Sequence, residues 1–75
     1  MKFTPFERKM LDRMCQLLQD EKAATEAGDG DSVMLCRAHY AGFVDAMRMI
    51  LSERLCVRLE RWAVEEVNGI ARSDE

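Results

Sequence analysis

The chain has 75 residues, 48% of them apolar, a formal charge of −3 and three cysteines. Its length suits one small domain, which buries only a modest share of its surface when it folds alone. The apolar content argues against disorder, the lack of a membrane-length apolar run against a spanning helix, and the acidic balance against coating nucleic acid by phosphate neutralisation.

The first helix is expected over about 5–27. Thr4 can cap it, Pro5 suits the first helical position, and Glu7 completes a Thr-x-x-Glu capping box. Phe6, Met10, Met14, Leu17 and Leu18 fall on one side with Leu11 beside them, while Arg8, Lys9, Asp12, Gln16, Gln19 and Asp20 face water. Charges this dense in the first fifteen residues leave no room for a signal peptide or anchor, so a cytoplasmic protein is expected. Gly28 suits the left-handed residue that follows a helix. The short loop Gly28-Asp29-Gly30-Asp31-Ser32 then makes the next helix an antiparallel neighbour, capped by Asp31 or Ser32.

The second helix, about 32–52, is the element around which the sequence is organised. Val33, Cys36, Tyr40, Phe43, Met47 and Ile50 recur at spacings of 3, 4, 3, 4 and 3, the seam that packs on a neighbouring helix. A second face carries Met34, Leu35, Ala38, Gly42, Ala46 and Met49, a shallow channel of small residues bordered by methionines and a leucine. A helix with two apolar faces needs two partners. Beyond Ile50 the apolar residues change face: Leu55, Cys56, Leu59, Trp62, Ala63, Val67 and Ile70 cluster away from the old seam. Neither Gly nor Pro occurs between Ser52 and Val67, which permits one continuous helix of roughly 35 residues and roughly 50 Å. Compactness favours a break near Ser52 to Arg54 and a separate C-terminal helix over about 54–68. Asn68-Gly69 supplies the stop, with Ile70 folding back on the last turn and 71–75 a frayed tail. The expected fold is all-α, a single small domain over 1–75 made of an antiparallel hairpin and a C-terminal helix, assembled as a dimeric bundle.

Chemistry is sparse. Cys36 and His39 stand three apart, and with Cys15 and Cys56 they make four metal ligands by count. Each of the other two cysteines is alone in its helix, so packed thiols are expected, with neither metal nor cofactor. Asp29, Asp31 and Ser32 between glycines lack the alternating oxygens and distal Glu of a calcium loop, and read as a capped turn. One histidine, no phosphate-binding glycine loop and no nucleophile beside a base leave the catalytic roles unfilled, which predicts a non-enzyme.

What remains points to protein contact. The methionine-bordered channel on the second helix can take a helix closely and adapt to its shape. Trp62, amid Leu55, Leu59 and Ala63, is a residue type that often anchors interfaces. Arg54, Arg58 and Arg61 form a stripe suited to phosphates or an acidic partner, although Glu53, Glu60 and Glu65 lie within pairing distance. In architecture alone the hairpin is similar to small dimeric helical regulators, among them plasmid RNA-binding four-helix bundles and short phage proteins that inhibit host machinery. The likeness carries no residues across. The expected function is a small helical interaction module, a homodimer that binds and modulates or inhibits a larger protein, as an accessory factor or a phage or mobile-element regulator. The alternative is an RNA- or DNA-binding helical dimer using the arginine stripe with Arg37 and Arg48.

Overall fold

A computed structural model describes residues 3–69. It contains three helices, α1 (Pro5–Glu26), α2 (Gly30–Ile50) and α3 (Glu53–Val67), each ending within two residues of its expected place. The expected fold-back of Ile70 and the tail 71–75 lie outside the described residues.

Local chemistry accounts for the boundaries. The Glu7 N–H donates to Thr4 Oγ1 at 3.1 Å and the Thr4 N–H donates to Glu7 Oε1 at 3.0 Å, closing the capping box over Pro5. Gly28 and Gly69 take φ of 73° and 68°, where a side chain would be strained. The N-cap of α2 is Asp29, not Asp31 or Ser32, because the helix starts two residues earlier than expected. Asp29 accepts from the Ser32 N–H at 3.2 Å and from Ser32 Oγ at 2.6 Å, and the hydroxyl bond is the main reason its carboxyl is held below the usual range. Leu51 and Ser52 are extended, and Ser52 Oγ accepts from the Leu55 N–H at 3.2 Å. A serine whose side chain satisfies an orphan donor can therefore restart a helix where no Gly or Pro interrupts it.

The helix at the centre of the packing is α1, not α2. It packs closely against both others, whereas α2 and α3 meet each other only slightly. This explains which face of α1 is used: Leu11, Met14 and Leu17 are buried, while Phe6, expected in the core, is 48% exposed. Leu11 is drawn in because α3 covers a side of α1 that the hairpin alone would leave open.

The seam of α2 is also corrected. Val33, Cys36, Tyr40 and Phe43 are half-buried, Val44 and Met47 are buried, and Ile50 is 66% exposed. A strict seven-residue repeat drifts around a straight helix by about 20° per heptad. Ile50 has therefore rotated off the line that Val33 begins, and Leu51, eighteen residues or about five turns from Val33, packs against the core in its place. On α3 the expected face is buried at Cys56, Leu59, Trp62 and Ala63.

Candidate interaction surface

Among the described residues, one side of α2 has no neighbour. Met34 is 71% exposed, Leu35 58% and Met49 89%, with Ala38, Gly42 and Ala46 exposed between them. At about 100° per residue these six positions lie opposite the buried Met47 side. A Cβ placed on Gly42 meets nothing within 4 Å, so none of the described residues uses the smallness of this residue. Within a helix, glycine costs about 1 kcal/mol relative to alanine.

The small-residue channel continues toward α1. Ala38, Gly42, His39 and Phe43 share a shallow hollow with Arg13 and Leu17 of α1. Sequence periodicity within α2 missed the α1 side of this hollow, although the hairpin pairing of Leu17 with Phe43 pointed to it. Arg13 has no ion-pair partner among the described residues, unlike Arg37 and Arg48 on the other flank. Those two reach Glu21 at 3.3 Å and Glu60 at 3.5 Å, tying α2 to α1 and to α3. Exposed pairs of this kind contribute roughly 0.2–1 kcal/mol each.

The α3 residues are not part of the same surface. Trp62 is buried, its ring meeting the Phe3 ring edge-on at 5.1 Å and 88°, and it belongs to the core shared with α1. This aromatic pair is an internal clamp, worth about 0.5–1.5 kcal/mol beyond its burial. Arg54, Arg58 and Arg61 are exposed on the side of α3 away from that core. Arg61 reaches Glu65 at 3.4 Å, the intrahelical pairing its spacing allows.

Tyr40 projects into the core region, and its buried hydroxyl has no hydrogen-bond partner among the described residues. Burial, then the Glu60 carboxylate and Cys15, pushes the phenol up to about 12. None of the three cysteines forms a disulfide: Cys56 is buried in the core, and Cys15 and Cys36 are half-buried. Among the described residues no three His, Cys, Asp or Glu side chains gather as a metal-ligand group, so Cys36 and His39 are not joined by further ligands. Nor, among these residues, is any helix long and apolar enough to cross a membrane.

No protein-family model matches the chain, no curated protein is significantly similar to it, and no solved structure significantly matches its fold.

Proposed function

We propose that the chain is a non-enzymatic helical interaction module whose working surface is the outer face of α2. It acts as a homodimer that binds and modulates a larger protein, in the manner of an accessory factor or a phage or mobile-element regulator, in the cytoplasm. The observation that carries this reading is the exposure of Met34, Leu35 and Met49 on a helix whose opposite side already packs on α1. Burying apolar surface stabilises by about 25 cal/mol per Å², so a helix laid on this face gains free energy that the protomer alone forgoes. Ala38, Gly42 and Ala46 let a second backbone approach closely, and the methionines adapt to its shape.

The arginine side of α3 stays open when α2 is covered and is the surface offered to an acidic partner. A nucleic-acid reader using Arg54, Arg58 and Arg61 is the lesser reading, since Arg61 already engages Glu65 and the chain is net acidic. Affinity purification of the tagged chain from its native host, alongside a Gly42→Leu variant, tests the module. The expected result is a stoichiometric protein partner that tolerates moderate salt. A nucleic-acid partner whose binding falls steeply with salt would overturn it in favour of the arginine stripe.

A further inference from the structure

We infer that the occupant of the outer face of α2 is a second copy of the same helix, antiparallel to the first, with the twofold axis at Gly42. The inference rests on the reading of this face as a helix-docking surface and adds the partner, direction and register.

A twofold interface must be complementary to itself: what stands on one side of the axis has to fit what stands the same distance beyond it. Leu35, Gly42 and Met49 are seven apart and run along the middle of the exposed face. In an antiparallel pair centred on Gly42, Leu35 therefore meets Met49 of the second copy, Met49 meets Leu35, and the two Gly42 backbones cross. Ala38 and Ala46 stand one turn to either side of Gly42 and clear the approach. The arrangement gives Gly42 a use that the described residues of its own protomer do not, since a Cβ there meets none of their atoms within 4 Å. A parallel pair fits worse, because it sets Leu35 against Leu35 and Met49 against Met49 while holding the ends apart from the close approach at the centre.

Charge does not oppose the pairing. Between Leu35 and Met49 the face holds one charged residue, Asp45 at its edge, and the twofold sets the two copies of Asp45 about 9 Å apart along the helix axis, near the screening length at moderate salt. Area sets the strength. From Met34 to Ile50 the face is about 24 Å long and about 10 Å wide. Two such faces have a footprint of roughly 500 Å², below the size of a standard specific interface. The dimer is therefore a weak, reversible one, dependent on protein concentration.

Disulfide cross-linking of single-cysteine additions tests the register, with the unaltered chain and its own three thiols as the background. Gly42→Cys should cross-link to itself on mild oxidation at tens of micromolar protein. Leu35→Cys should not cross-link to itself, but should form a mixed dimer with Met49→Cys. Self-linked Leu35→Cys would mean a parallel pair and would overturn the inference while leaving the docking reading in place. Circular dichroism of each variant guards against misfolding. Folded variants that all stay at the background level, with the unaltered chain sedimenting as a monomer, would remove the second copy as occupant. Loss of the host protein partner in Gly42→Leu would still separate that outcome from failure of the docking reading.

Discussion

Helices α2 and α3 make opposite use of their apolar residues. The 15 residues of α3 bury four side chains, Cys56, Leu59, Trp62 and Ala63, whereas the 21 residues of α2 bury two, Val44 and Met47. The shorter helix turns most of its apolar groups toward α1 and its arginines toward water, although Val57 and Val64 stand exposed among them. The longer one is apolar on both sides and, among the described residues, has a neighbour on only one. A helix that spends its apolar residues inside the protomer is there to stabilise the fold. One that leaves Leu35 and Met49 in solvent adds little to the fold through them.

The largest test of this contrast lies in α3. Leu59 is fully buried in the core, so Leu59→Ala should destabilise the chain by roughly 2–5 kcal/mol. That is a large share of a small domain's stability, and chemical denaturation should register it as a collapse of the unfolding midpoint. A midpoint within experimental error of the unaltered chain would mean that α3 is not held as described.

A smaller effect is expected at Tyr40, where the core tolerates a flaw. Its buried hydroxyl lacks a partner among the described residues, so Tyr40→Phe removes an unsatisfied group and should raise stability by about 1 kcal/mol. The phenol's value in the fold, about 12, lies above the ordinary value of 10.0, so the folded state holds its proton more tightly than the unfolded chain. Stability is therefore untouched by this group below pH 10 and falls as the pH rises from 10 toward 12, where the unfolded chain ionises first. Tyr40 is the sole tyrosine, so ultraviolet absorbance reports its titration directly. Ionisation near pH 10 in the folded protein would place the ring in water.

The smallest effect belongs to the outer face of α2. At low micromolar concentration, Met49→Ala should shift stability by no more than about 0.5 kcal/mol, since the side chain is almost wholly exposed. Met47→Ala, two residues away, should cost about as much as Leu59→Ala. Thermal melts of the pair would expose an error of phase in α2 at once, because equal losses mean that both sides are packed within one protomer.

What the sequence revealed was mostly local. The Thr4 box, the left-handed Gly28 and Gly69, and the change of apolar face after Ile50 depend on residues a few positions apart, and all were legible. Phase within α2 was less so. With apolar residues on both sides, periodicity alone cannot say which of Phe43, Val44, Ile50 and Leu51 turns inward, and a seven-residue repeat misleads over five turns. The central place of α1 was hidden because it comes from how two neighbours share one helix. Trp62 read as a partner anchor because Phe3, its clamp, precedes the first helix and carries no periodic signal. The exposed face itself, Met34 to Met49, was visible as a second apolar stripe, and the hollow beside Arg13 came only with the packing.

The outer face of α2, exposed at Met34, Leu35 and Met49, is proposed as an interface and not as part of the protomer's own core. Sedimentation of the unaltered chain and of Gly42→Leu across a hundredfold concentration range tests it most directly. The mass of the unaltered chain should rise from 8.6 kDa toward twice that value. Gly42→Leu should stay at the lower mass with its helicity and melting temperature preserved. A concentration-independent monomer for both, or a Gly42→Leu variant that unfolds because Gly42 is packed inside the protomer, would contradict it.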